Sequence, residues 1–167
     1  MDLTFLKKRL FYGLVFALLA QIIGISKTTA RVITAFKTTW IATGGSITIP
    51  TNSASGPYIY TVNYRKKGTT LFTTVTARTT DYTITGLTAT DTIQVEITGL
   101  FPHFYMNYNA TEKTKLLSID AWGNQNWRSM QNAFGGCSNL TYNATDMPDL
   151  SLVTDMSFMF LSCSKFN

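Results

Sequence analysis

Between residues 46 and 99 apolar and polar side chains alternate in short runs: SITIP (46–50), YIYTVNY (58–64), TLFTTVT (70–76), DYTITGL (81–87) and TIQVEITG (92–99). A period of two predicts strands with one face buried. The Thr, Val, Ile and Tyr that fill them suit a pleated surface, because branched or flat side chains pack well there. Turn residues separate the runs at Gly44-Gly45, Ser55-Gly56-Pro57, Lys67-Gly68 and Thr90-Asp91. Short strands at near-regular spacing predict an antiparallel β-sandwich over residues 31–107.

From residue 108 the alternation gives way to Asn, Met, Trp and Leu, and a longer period begins. Met130, Phe134, Cys137 and Ser138 recur as Met156, Phe160, Cys163 and Ser164, and Leu140 is answered by Phe166. The offset is the same in every pair. It lies in the leucine-rich-repeat range and predicts a solenoid, in which each unit leaves an apolar face for the next to cover. WRSMQNAF (127–134) and VTDMSFMF (153–160) place apolar residues at i, i+3 and i+7, so each reads as a short helix with one buried stripe. NLTYN (139–143) and KLLSI (115–119) read as the short strands of successive coils. The expected fold class is therefore mainly β with short helices: an antiparallel β-sandwich followed by a leucine-rich-repeat-like α/β solenoid over residues 108–167.

The composition supports packed domains. The chain has 167 residues, 45% hydrophobic, 13% aromatic and only 14% charged, enough for one ordinary domain or two small ones and unlike a disordered chain. Its net charge of +5 is unevenly placed. Lys7, Lys8, Arg9 and Lys27 against Asp2 leave a clear basic excess in the segment 1–30, whereas ten basic residues face eight acidic ones in the remainder. A nucleic-acid binder needs a concentrated basic face, and the one short cluster, Arg65-Lys66-Lys67-Gly68, reads as a hairpin turn. No nucleic-acid partner is expected.

The charge belongs instead to the opening segment, MDLTFLKKRLFYGLVFALLAQIIGISKTTA. A basic stretch at Lys7 to Arg9 precedes an apolar run from Leu10 to Ile25, with small residues beyond it. This order describes a secretory signal peptide over residues 1–30, cleaved after Ala30, with Thr28 and Ala30 at the small-residue positions. The apolar run is short for a bilayer core of about 30 Å. No Cys stands near it, which excludes a bacterial lipoprotein anchor there. The expected location is secreted or at the cell surface, with membrane contact only through the signal before cleavage.

Two resemblances refine this reading. YTITGLTATDTIQVEI (82–97) resembles the later half of a fibronectin type III domain, where a Tyr and a Leu bracket a turn into a strand that begins with Thr. Ala89 stands where that family often has Pro, and Gln94 where it usually has Tyr. The Trp-Gly-Asp-Gly turn typical of PKD-type sandwiches is missing. The resemblance implies an Ig-like sandwich, fibronectin type III-like or PKD-like, with the subfamily open. The run from Leu116 onward resembles the BspA-type leucine-rich-repeat surface proteins of bacteria. The matching pieces are Trp122-Gly123, Trp127, Met130, AFGGCSNL (133–140), Asp146 to Leu150, VTDM (153–156) and Met159-Phe160. In that family an exported sandwich often precedes the repeats, and ITGLFPHFYMN (97–107) sits at the corresponding junction. The resemblance implies a secreted or surface-displayed, non-catalytic protein that mediates adhesion or protein binding. The family normally continues through further repeats, whereas this sequence stops inside its second clear copy. The expectation is a fragment of a longer protein, or the product of a truncated reading frame, with an uncovered end formed by Met156, Met159, Phe160 and Phe166.

Candidate chemistry is sparse. Cys137 and Cys163 share a repeat position and should stack on adjacent coils. A coil spacing of about 4.8 Å is compatible with the separation a disulfide needs. Side chains in register point the same way, however, so stacked free thiols are the favoured alternative to a bridge. His103 is the sole histidine, set in an apolar junction without an evident partner, and reads as a packing residue rather than a base or ligand. Asp146, Asp149 and Asp155 lack the spacing of a calcium loop and read as turn caps. No phosphate-binding loop or nucleophile elbow is present. No catalytic residue, metal ligand or cofactor site is expected. Trp122 and Trp127 belong to the repeat pattern and should pack in the core, leaving Tyr105, Tyr108 and Tyr142 as the candidate binding face. Asn109, Asn139 and Asn143 head glycosylation triplets, which mean little if the source is bacterial, as the resemblance implies. The expected partner is a protein or extracellular-matrix ligand; the alternatives are a glycan held by the sandwich, or a structural stalk with no ligand.

Overall fold

The computed structural model describes residues 34–107 and 109–166, all within one compact unit. The expected signal peptide at residues 1–30 lies outside the described residues, as does Tyr108. Eight strands appear in chain order: β1 (Phe36–Ile41), β2 (Ile47–Ile49), β3 (Ile59–Lys66), β4 (Thr73–Arg78), β5 (Tyr82–Ile84), β6 (Thr92–Leu100), β7 (Leu116–Ala121) and β8 (Thr141–Tyr142). Six form one sheet in the order β4-β3-β6-β1-β7-β8, and β2 pairs with β5 in a second. Every pairing is antiparallel except β7 with β8, which run parallel with Ser118 opposite Thr141 and Ile119 opposite Tyr142.

Each run of alternating residues overlaps one of the strands β2 to β6, and their alternation sets the register. Tyr60 and Val62 of β3, Ile93, Val95 and Ile97 of β6, and Phe36 and Trp40 of β1 are all buried. They share a common core with Ile47, Ile49 and Ile84 of the second sheet. Shifting the ladder by one residue would expose this whole set, so the register is strongly specified. Of the basic cluster at residues 65–68, Arg65 and Lys66 end strand β3 and only Lys67 and Gly68 form the turn toward β4, with Lys66 closing on the Asp91 carboxylate at 2.5 Å.

Strand β1 is absent from the strands that alternation predicts, yet it is central. It pairs with β6 on one side and β7 on the other. Thr38, on the same side as Phe36 and Trp40, is buried because its hydroxyl accepts the Trp40 indole N–H at 2.8 Å. A polar residue satisfied this way can sit in a core. Because β7 comes from the segment after residue 107, the backbone ladder of the large sheet runs across that position.

The expectation of short helices is corrected. Among the described residues the only helical elements are two short 3-10 turns, Thr43–Gly45 and Ser53–Ser55. Residues 127–134 and 153–160 are successions of turns instead. An α-helix would bond its N–H groups to its own carbonyls. Here Asn132 and Phe158 take positive φ, 50° and 58°, which breaks a right-handed helix. Alternate N–H groups of the first stretch bond to carbonyls of the second stretch rather than within their own.

Candidate functional site

Three lengths of chain lie against one another in the second half of the molecule. Met106 and Asn107 donate backbone bonds to the carbonyls of Ala133 and Asn132, both at 3.1 Å, and Arg128 donates to Pro102 O at 2.9 Å. Met130, Asn132, Phe134 and Gly136 then donate to Asp155, Ser157, Met159 and Leu161 at 2.8–2.9 Å. Each acceptor in this second set stands at the same sequence distance from its donor, one position short of the repeat period. The sequence period therefore corresponds to a backbone offset between these two lengths of chain.

Side chains follow the same ladder. Phe134 is wholly buried and stacks on Phe104 (5.1 Å between centroids, 22° between planes) and on Phe160 (5.2 Å, 7°). Phe160 stacks in turn on Phe166 at 4.0 Å. Ser164 Oγ donates to Ser138 O at 3.2 Å, and Lys165 Nζ to Asn139 Oδ1 at 3.0 Å, each pair 26 residues apart. Cys137 is buried and Cys163 half-buried, and both are free thiols. The Cys163 thiol donates to Phe134 O at 3.1 Å. Burial pushes both thiols above their ordinary value, so neither is a ready nucleophile.

The three aspartates of this region hold turns. Asp146 accepts from Trp122 N (3.0 and 3.1 Å) and Gly123 N (2.8 Å), tying the loop after β7 to the loop after β8. Asp149 accepts from Ser151 N at 3.0 Å and Asp155 from Ser157 N at 2.8 Å. Gly123 is required at its place. Its φ is +63°, and a Cβ there would fall 2.5 Å from the backbone of Thr34 and Ala35. Trp122 and Trp127 lie in the core against Phe36.

Of the candidate binding tyrosines, Tyr105 is half-buried with its ring on His103 (5.0 Å), and Tyr142 is exposed. The Tyr142 hydroxyl accepts from Trp122 Nε1 at 2.9 Å and donates to Asp146 O at 3.3 Å, and its ring meets Phe166. The structure does not bring the two tyrosines together. The expected apolar end is partly altered: Met156 is exposed and Phe160 and Phe166 are half-buried, but Met159 is buried. Sequence reasoning misses the larger feature. Among the described residues, most of the exposed large apolar side chains fall between positions 142 and 161: Tyr142, Met147, Leu152, Met156, Phe158 and Leu161.

His103 is wholly buried. Its Nε2 donates to Gln131 O at 2.8 Å, which leaves Nδ1 to accept from Ser55 Oγ at 2.9 Å. Burial holds its pKa below the ordinary value of 6.5, opposed by the Gln131 carbonyl and Asp155. Both ring nitrogens are spent inside the fold. Glu112 and Lys115, also buried, pair at 2.8 Å; Glu112 further accepts from Thr48 N (2.9 Å) and Lys115 donates to Ser46 O (3.0 Å). This ion pair ties the chain before β7 to β2, and nothing in the sequence period marks it.

The solvent side of the large sheet is polar. Lys37 pairs with Glu96 at 2.8 Å, Arg65 Nε donates to Gln94 Oε1 at 3.0 Å, and Asp120 accepts from Thr39, Ser118 and Asn143. A shallow hollow of about 110 Å³ lies among Lys37, Arg65, Gln94, Glu96 and Asp120. Among the described residues no group of three or more His, Cys, Asp or Glu side chains could hold a metal ion, and no helix is long and apolar enough to cross a membrane. No family model, curated protein or solved structure was found to match this chain.

Proposed function

We propose that this chain is an exported BspA-type surface protein, in which an Ig-like sandwich carries a leucine-rich-repeat solenoid that binds other proteins without catalysing a reaction. The observation that carries the reading is the clustering of exposed Tyr142, Met147, Leu152, Met156, Phe158 and Leu161 on the repeat segment. Scattered apolar residues are ordinary on a protein surface, whereas contiguous exposed apolar patches accompany interaction sites, and the concentration of exposed apolar residues on one segment supports the binding reading in that sense. The backbone and aromatic ladders between successive repeats support the solenoid half of the reading. Engagement of both His103 nitrogens inside the fold supports the non-catalytic half.

The test is surface-plasmon binding of the chain to purified laminin, fibronectin and fibrillar collagen, compared with the variant Met147→Ser/Leu152→Ser. Met147 and Leu152 are 86% and 58% exposed, so the variant keeps its fold. A loss of affinity of tenfold or more is expected for any matrix ligand that binds. Absence of binding to all three, or equal binding by the variant, contradicts the reading. A glycan-binding role for the sandwich is favoured by one observation, the polar hollow around Arg65 and Glu96. That alternative predicts carbohydrate binding that Arg65→Ala abolishes and Met147→Ser/Leu152→Ser leaves intact.

A further inference from the structure

A serine and a histidine meet between the turn before β3 and the segment 101–107. Ser55 Oγ lies 2.9 Å from His103 Nδ1, and His103 Nε2 donates to Gln131 O at 2.8 Å. With the proton on Nε2, the Nδ1 lone pair is left for the serine hydroxyl. A hydroxyl within about 2.6–3.2 Å of a base that a third group orients is the arrangement of an activated nucleophile. The contact that occupies His103 inside the fold therefore also sets a proton acceptor on a serine.

The surrounding bonds hold the two groups in place. Ser55 closes the 3-10 turn Ser53–Ser55, its N–H bonded to Asn52 O at 2.8 Å, while Asn52 Oδ1 accepts from Ala54 N at 3.1 Å. The buried Tyr58 hydroxyl accepts from Asn52 N at 2.9 Å and donates to His103 O at 3.0 Å. One side chain thus fixes the turn that carries the hydroxyl against the backbone that carries the ring. The two groups differ in access. His103 is wholly buried, with the Tyr105 ring edge-on at 5.0 Å, whereas Ser55 is half-buried in a turn whose Ser53, Ala54 and Pro57 are exposed. Burial favours the neutral imidazole, and Gln131 O and Asp155 favour the charged ring that forms when it takes a proton.

We propose that Ser55 is a covalent modification site whose hydroxyl, with His103 as base, takes the acyl group of an activated ester. Ser55 Oγ bonds to the ester carbonyl carbon, its proton passes to His103 Nδ1, and the bond from that carbon to the leaving oxygen breaks. The leaving oxygen keeps the bonding pair and receives the proton from Nδ1, so the ring is neutral again and one acyl group stays on Ser55. A single transfer of this kind goes beyond the binding reading and is compatible with it, because the protein is the acceptor and not a catalyst.

The probe is p-nitrophenyl acetate, added in excess to the full chain. Released nitrophenolate is followed by absorbance, and the acetylated residues are mapped by peptide mass spectrometry. The expected result is a burst of one equivalent, with the acetyl group on Ser55. Its rate should be level across neutrality and fall only below the ordinary histidine value of 6.5, since burial holds His103 under it. Ser55→Ala should abolish the burst, and His103→Gln should slow it by roughly a hundredfold or more, the contribution of a positioned base. Mapping and the pH profile use the unaltered chain, so they decide the matter even where His103→Gln fails to fold. Acetyl groups on lysines with none on Ser55, an undiminished burst in Ser55→Ala, or a rate that climbs steadily above neutrality overturns the proposal. Release that continues past one equivalent and is lost in Ser55→Ala upholds the nucleophile and refutes the non-catalytic half of the binding reading. Met147→Ser/Leu152→Ser alters neither Ser55 nor His103, so failure of matrix binding and failure of acylation are read separately.

Discussion

Replacing Phe134 by Ala should be the most damaging single truncation in the repeat segment. The ring is wholly buried and touches aromatic neighbours on several sides: Phe104 and Phe160 stack on it at 5.1 and 5.2 Å, and Trp122 meets it edge-on at 5.9 Å. Removing a buried Phe costs about 3–5 kcal/mol through lost transfer energy and the cavity left behind. Each aromatic pair adds roughly 0.5–1.5 kcal/mol beyond burial, which places the expected loss in the upper half of that range. Phe134→Leu retains most of the volume and should cost less than about 2 kcal/mol. The assay is urea unfolding of both variants and the parent, with the slope checked for constancy so that the midpoint reports stability. A loss below about 1 kcal/mol for Phe134→Ala would refute the stacking of Phe134 between Phe104 and Phe160, because a fully buried ring cannot be removed so cheaply.

The remaining predictions concern single contacts. Gly123→Ala should destabilise by more than about 1 kcal/mol, measured by thermal unfolding, because the new Cβ meets the Thr34 and Ala35 backbone at 2.5 Å in a left-handed conformation. A neutral Gly123→Ala would mean that the loop after β7 does not approach the start of β1 as described. Lys115→Ala leaves Glu112 buried without its partner and should cost about 3–5 kcal/mol. Lys115→Met/Glu112→Gln should be less destabilised than Lys115→Ala, and strict additivity would show that the two do not interact. Stability should also depend on His103. Its folded pKa lies below the ordinary 6.5, so the unfolded chain binds the proton more readily. The contribution is whole above about pH 6.5 and declines as pH falls toward the folded pKa. His103→Gln should flatten this dependence on the acid side of neutrality, and an unchanged pH profile would contradict it.

How much of this is legible depends on what each residue satisfies. Period-two alternation locates β2 to β6, because Tyr60, Val62, Val95 and Ile97 each place one apolar face in the core. It passes over β1, since FKTTWI puts Thr38 among its inward residues and only the bond from Trp40 Nε1 makes that position apolar in effect. The spacing of Trp127, Met130 and Phe134 suggests a helix. Turns that send alternate N–H groups to residues 155–161 generate the same spacing, and one sequence period cannot separate the two. The junction at positions 101–107 reads as a connector in the sequence, yet Phe104 stacks on Phe134. The step from 104 to 134 is longer than the sequence period that relates residues 130–140 to 156–166, so the repeat does not reveal it. The candidate site is less legible. Tyr142 is exposed but spends its hydroxyl on Trp122 and Asp146. The exposed Met147, Leu152 and Phe158 carry no sequence mark that separates them from core residues.

The account turns on one structural claim, that residues 130–136 bond through alternate backbone amides to residues 155–161, while the corresponding amides of residues 156–162 meet no acceptor among the described residues. Amide hydrogen exchange on the intact chain tests it directly. The account predicts slow exchange at Met130, Asn132, Phe134 and Gly136 together with fast exchange at Met156, Phe158, Phe160 and Ser162. Equal exchange in the two sets, or rapid exchange in the first, would contradict it.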